Sequence, residues 1–151
     1  MAGKRIVLVV DDERDILDAA TVLLEDLPGL AVAAYPSAAA ALEALPGLGA
    51  DLRLILSDFR MPGMDGLEFL AKAEQLRPDV PRILMTAYAE TGLAVRAINE
   101  ARIARFLSKP IEPAAMEAAV REVIAASELE RSRAEALRRS VGLLGGRPPP
   151  P

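Results

Sequence analysis

After Arg5, residues Ile6-Val7-Leu8-Val9-Val10 form a continuous apolar, largely β-branched run that stops abruptly at Asp11-Asp12-Glu13. A strand with one face in water alternates apolar and polar residues, so a strand with no polar positions needs cover on both faces. Such a strand belongs inside a parallel sheet flanked by helices. Parallel neighbours require crossover connections, which makes the next segment a helix and the one after it another strand.

The remaining sequence follows that alternation. From Glu13 to Leu27, the apolar residues Ile16, Leu17, Ala20, Val22, Leu23, Leu24 and Leu27 recur at helical spacing, and Pro28-Gly29 ends the segment. Leu30 to Tyr35 reads as a second strand, and Pro36-Ser37 opens an alanine-rich helix ending near Pro46-Gly47. Asp51 to Ser57 reads as a third strand, followed by a loop over 58–64 and a helix capped by Asp65. Arg82 to Met85 is a fourth strand ending at Thr86, Thr91 to Ala101 a helix, Ile103 to Leu107 a fifth strand, and Pro113 begins the last helix. Five strands alternating with five helices over about residues 4–126 predict one α/β domain with a parallel sheet and helices on both faces.

Beyond residue 126 the character changes. Residues 127–144 carry Glu128, Glu130 and Glu135 against Arg131, Arg133, Arg138 and Arg139, the pattern of a helix continued into solvent as an extension or linker. Met116, Val120, Val123, Ala134, Leu137, Val141 and Leu144 keep a 3-4 spacing, but Ser127 and Glu130 occupy the intervening seam and weaken a coiled-coil reading. Leu137 to Leu144 resembles the linker of regulators with an attached HD hydrolase domain. Residues 145–151 are Gly- and Pro-rich and read as a disordered tail.

Composition narrows the chemistry. With no cysteine and no histidine, disulfides, thiolate catalysis, imidazole bases and cysteine-based zinc sites are excluded, and a softer metal is disfavoured. A net charge of −4 disfavours direct nucleic-acid binding. The apolar run after Met1–Arg5 is too short for a signal peptide or a membrane span, so the expected location is cytoplasmic, without membrane association.

In an open parallel sheet, ligands bind beyond the carboxyl ends of the strands. Asp11, Asp12 and Glu13 follow strand one, Asp58 follows strand three, Thr86 strand four and Lys109 strand five. Topology alone brings these groups to one edge. Clustered carboxylates repel one another unless a cation joins them, and a hard divalent ion such as Mg²⁺ suits an all-oxygen set. Lys109 adds a point charge for a phosphoryl oxygen and Thr86 a hydrogen bond, while a carboxylate can serve as an acyl-phosphate nucleophile. The set fits in-line phosphoryl transfer.

Four pieces carry a family resemblance: Val10-Asp11-Asp12-Glu13, the stretch Ser57-Asp58-Phe59-Arg60-Met61-Pro62-Gly63-Met64-Asp65-Gly66, Met85-Thr86-Ala87, and Phe106-Leu107-Ser108-Lys109-Pro110. Together the chain resembles the receiver domain of two-component response regulators. The resemblance implies a flavodoxin-like, doubly wound (βα)5 fold with strand order 2-1-3-4-5. It implies that Asp58 is the phosphoacceptor, and that Asp11, Asp12, Asp58 and the backbone carbonyl of Arg60 hold Mg²⁺. Thr86 becomes the switch hydroxyl, Lys109 the phosphoryl partner, and Phe106 the switch aromatic, here without a hydroxyl. Pro110 is expected to follow a cis peptide with Lys109. Arg60 and Tyr88 flank the phosphoryl group, and their bulk is expected to shield it from water. The implied donor is a histidine kinase or a histidine phosphotransfer protein. A homodimer through the fourth helix, fifth strand and fifth helix, or through the C-terminal helix, fits the same pattern.

Blander readings exist for each piece alone. Asp11-Asp12 suits a helix cap, Asp58 a turn, Thr86 a strand end, Lys109 the surface and Phe106 the core. A Mg²⁺-dependent aspartyl-phosphate phosphatase would want a second carboxylate two residues after its nucleophile, where this chain has Arg60. A receiver-like module that binds partners without phosphorylation would not need the complete set. A dinucleotide site is disfavoured because no G-x-G-x-x-G follows the first strand. The chain is thus expected to act on its own aspartate only, not as a turnover enzyme.

Overall fold

The computed structural model describes residues 3–87 and 91–145. Strands β1 (Arg5–Val10), β2 (Leu30–Tyr35), β3 (Leu52–Asp58), β4 (Arg82–Thr86) and β5 (Arg105–Ser108) form one sheet of order β2-β1-β3-β4-β5. Every pairing is parallel. Helices α1 (Arg14–Glu25), α2 (Ala38–Ala44), α3 (Gly66–Leu76), α4 (Thr91–Ala101) and α5 (Pro113–Gly145) make the crossovers. This is the expected doubly wound α/β architecture.

The apolar strands divide between two core layers by the period of two. Leu8, Val10, Ile55 and Leu84 pack with Phe69, Leu70 and Ala97 on the α2–α3–α4 side. Val7, Val9, Leu54, Leu56, Ile83 and Met85 pack with Leu17, Leu24, Val120 and Val123 on the α1–α5 side. Val7 through Val10 have no exposed surface, which is why the run tolerates no polar residue. Each such side chain contributes about 1.5–3 kcal/mol on burial.

Several boundaries move for local reasons. The first helix ends at Glu25 because the chain tightens, with Leu27 N–H donating to Leu24 C=O, before Gly29 turns at φ 77°. Ser37 caps α2 by accepting from Ala40 N–H, yet the helix stops at Ala44 and a 3₁₀ segment, Leu45–Asp51, carries the chain past Pro46. The third strand runs one residue further than expected and includes Asp58. The fifth begins at Arg105, not Ile103, because Arg102 takes φ 50° and Ile103 N–H turns back to Ala97 C=O. Helix α5 continues unbroken through residue 126 to Gly145. Residues 146–151 of the expected tail lie outside the described residues.

Arg82, at the start of β4, is only 5% exposed. Its guanidinium donates to the carbonyls of Val80, Ala101 and Arg102, satisfying the C-terminal end of α4. Glu128 on α5 pairs with Arg5 and Arg53 at the amino ends of β1 and β3, and Arg131 pairs with Asp79. These ion pairs fasten α5 where it leaves the sheet.

Candidate functional site

The register aligns the carboxyl ends of the central strands. Val10 pairs with Ser57, Asp58 with Met85, and Thr86 with Ser108. The ladder then continues past the strand ends: Asp11 N–H donates to Tyr35 C=O, Phe59 N–H to Met85 C=O, and Lys109 N–H to Thr86 C=O. Three chemistry-bearing residues are therefore held by backbone bonds before their side chains interact.

Asp11 is fully buried, with Oδ1 accepting from Glu13 N–H and Oδ2 from Lys109 Nζ at 3.0 Å. Asp11 therefore makes a turn with Glu13, the N-cap residue, and neither member of the acidic pair caps α1 through its side chain. Asp58 Oδ1 accepts from Phe59 N–H at 2.9 Å and from Lys109 Nζ at 3.0 Å. Oδ1 is thus pinned from two sides.

Asp12 is exposed, and carboxylate oxygens of Asp11, Asp12 and Asp58 lie within 4.8 Å of one another. Three carboxylates face one ammonium. Burial foremost, with the Asp11 charge, raises the Asp58 carboxyl above its ordinary value, against the opposing hydrogen bond from Lys109. Burial would lower the Lys109 ammonium, but the bonds and charges of Asp11 and Asp58 outweigh it and hold it raised. The excess of negative charge and the all-oxygen donor set fit a hard divalent cation that keeps some of its water.

Thr86 is buried at the end of β4, and Arg60 is exposed on the loop after β3. Phe106 is half-buried and packs against the α2–α3–α4 core layer. The Lys109–Pro110 peptide is cis, as expected. Tyr88 lies outside the described residues. The structure therefore gathers Asp11, Asp12, Asp58 and Lys109 within direct or ion-mediated reach, with Thr86 on the adjacent strand end.

Two contributors escaped sequence reasoning. Ser57 is buried and its hydroxyl donates to Asp58 C=O at 2.9 Å. At Gly66, a Cβ would lie 1.9 Å from the Asp58 carbonyl oxygen, and Gly66 N–H donates to Phe59 C=O. The N-terminus of α3 is thereby pressed against the end of β3. The Asp65-Gly66 dipeptide was the available signal: a cap followed by the one residue that permits backbone contact.

The family model described as the response regulator receiver domain matches residues 7–121. The chain is 36% identical to the C4-dicarboxylate transport transcriptional regulatory protein DctD of Rhizobium meliloti, covering 98% of this chain and 33% of that protein. It is 35% identical to the transcriptional regulatory protein FixJ of Bradyrhizobium diazoefficiens, covering 86% of this chain and 63% of that one. The chain thus spans between a third and somewhat under two thirds of these curated relatives. Among solved structures, a CheY-like response regulator receiver domain protein from Methanospirillum hungatei superposes with TM-score 0.78 at 30% identity, over 85% of this chain and 99% of that one. The signal receiver domain of an HD domain-containing protein from Pseudomonas fluorescens gives TM-score 0.73 at 33% identity, over 83% and 98%.

Proposed function

The chain belongs to the response regulator receiver family, and from that premise we propose that Asp58 is the residue it phosphorylates. The state of the Asp58 carboxylate carries this reading: Oδ1 is fixed by Phe59 N–H and Lys109, and carboxylate oxygens of Asp11 and Asp12 lie within 4.8 Å. A nucleophile held in one orientation is prepared for in-line attack on phosphorus. The phosphoryl donor in this reading is a histidine kinase or a histidine phosphotransfer protein, since residues 1–151 contain no histidine to supply it.

Asp11, Asp12, Asp58 and the Arg60 backbone carbonyl would hold Mg²⁺, which neutralises charge on the transferring group when bound. Lys109 starts between Asp11 and Asp58 and needs little movement to meet a phosphoryl oxygen on Asp58. Thr86 donates its hydroxyl to the same group. Phe106 then changes its packing against the α4 side, which biases the surface of α4, β5 and α5. Arg60 and Tyr88 screen the phosphoryl group from water. The chain works on its own aspartate only, without turnover of a free substrate.

In this reading residues 4–126 are the receiver, residues 127–144 the extension or linker to an effector, and 145–151 a disordered tail. The matched relatives named as transcriptional regulators make a DNA-directed output one effector, whereas the receiver itself does not bind nucleic acid. A homodimer through the α4–β5–α5 face or the C-terminal helix would serve such an effector. A cytoplasmic location is consistent with the lack, among the described residues, of any helix long and apolar enough to cross a membrane.

Incubation with acetyl phosphate and Mg²⁺, read by intact mass, tests the assignment. One acid-labile phosphoryl adduct is expected on the wild-type chain and none on Asp58→Asn. An adduct of equal yield on the variant, or no adduct on either chain, overturns it.

A further inference from the structure

An open groove of about 770 Å³ runs between α1 and the connection from β5 to α5. Ile16, Ala19, Val22 and Leu23 form one wall, and Ile111 and Met116 the other. Val22 is 73% exposed, an uncommon state for a large apolar side chain beside other apolar groups. Asp15 and Asp18 also line the groove. Among the described residues its only cation, Lys109, is already committed to Asp11 and Asp58. The groove is therefore apolar with an acidic border.

The complementary surface lies on the same chain. In the extension, Ala134, Leu137 and Val141 continue the helical face that buries Met116, Val120 and Val123 within the domain. There the stripe is uncovered, with Leu137 66% and Val141 59% exposed. Arg133 flanks it on one side and Arg138 on the other. Two such helices pair poorly with each other. A parallel pair sets Arg133 against Arg138 of its mate, an antiparallel pair also opposes arginines, and Glu130 sits in the seam.

We propose that the groove receives the arginine-bordered C-terminal stripe of a second copy of this chain, with Leu137 and Val141 against α1 and the arginines beside Asp15 and Asp18. The chain's own stripe does not reach its own groove. Met116 and Leu137 belong to one unbroken helix and stand about 32 Å apart at the helical rise. Groove and stripe are different patches, so the contact is heterologous, and it repeats from copy to copy unless a ring closes. Lys109 and Pro110 line the groove, so an occupied groove also covers one flank of the phosphoacceptor site.

The cysteine-free sequence makes the test direct. Val22→Cys and Val141→Cys chains are prepared separately, mixed, and treated with a short bis-maleimide. A cross-linked pair that requires both variants supports the contact. Equal cross-linking by Val141→Cys alone marks a helix–helix pair and overturns it. Sedimentation velocity gives the second readout. The wild-type sedimentation coefficient should rise with concentration, while D15R/D18R and R133E/R138E should each abolish the rise, and mixing the two reversed chains should restore it. A chain that stays monomeric at all concentrations, or association indifferent to the reversals, overturns the proposal.

Discussion

The Lys109 ammonium stands 3.0 Å from Asp58 Oδ1, on the same carboxylate oxygen that accepts Phe59 N–H. It also lies 3.0 Å from Asp11 Oδ2. One mobile cation therefore neutralises part of an acidic pair until a phosphoryl group or a metal ion shares the task. The arrangement is an ion triad whose charges do not balance, and its consequences are measurable without knowledge of any partner.

Removing the cation should expose that imbalance. In Lys109→Met, two buried carboxylates lose their shared partner, and breaking a buried pair typically costs about 3–5 kcal/mol. Thermal melts in EDTA should show Lys109→Met well below wild type. Addition of Mg²⁺ should recover most of the loss in stability but not the rate of adduct formation with acetyl phosphate. Equal melting of the two chains in EDTA would rule out the triad as drawn.

The pH dependence has a definite sign. Asp58 has its folded pKa raised above the ordinary 3.8, first by burial and then by the charge of Asp11. The folded state binds this proton more tightly than the unfolded state, so the stability contributed is present below the unfolded value and lost as pH rises through the folded one. Urea melts in EDTA should therefore show Asp58→Asn more stable than wild type at neutral pH. The difference should narrow as pH falls through the raised value toward 3.8. Lys109, also raised, contributes stability that disappears only as pH climbs above its ordinary 10.5.

Mg²⁺ should stabilise the wild-type chain by mass action, by about 2.7 kcal/mol at a hundredfold excess over its dissociation constant. Asp11→Asn and Asp58→Asn should each lose most of this increment, whereas Asp65→Asn, which keeps the cap on Glu68 N–H, should retain it. Differential scanning calorimetry with and without the ion distinguishes these cases. A full increment in Asp58→Asn would place the ion elsewhere.

Much of the site was legible because its residues interrupt or close apolar runs. Asp11 ends Ile6–Val10, Asp58 ends β3, and Lys109 follows β5, so a parallel sheet brings them to one edge. What stayed hidden depends on contacts between distant backbone segments. Arg82 reads as an ordinary charge at a strand start, yet its guanidinium is buried among the carbonyls of Val80 and of Ala101 and Arg102 at the C-terminal end of α4. Ile103 reads as strand, but the left-handed turn at Arg102 leaves it packing on the core from a loop. The early stop of α2 reflects Pro46 and Gly49, the latter at φ 65°, where local backbone preference outweighs an alanine-rich pattern.

Gly66 offers the sharpest geometric prediction. A Cβ there would sit 1.9 Å from the Asp58 carbonyl oxygen and 2.9 Å from Phe59 Cα, both of them backbone atoms with no flexible side chain to yield. Either α3 withdraws, breaking the bond from Gly66 N–H to Phe59 C=O, or β3 bends at Asp58 itself. Forcing volume into a closed contact costs about 1–3 kcal/mol. Gly66→Ala should lower the urea midpoint accordingly. It should also slow adduct formation more than Ser57→Ala, which removes only the hydroxyl bonded to the same carbonyl. If Gly66→Ala matches wild type in both stability and phosphorylation, the tight approach of α3 to the Asp58 backbone is not what positions the nucleophile.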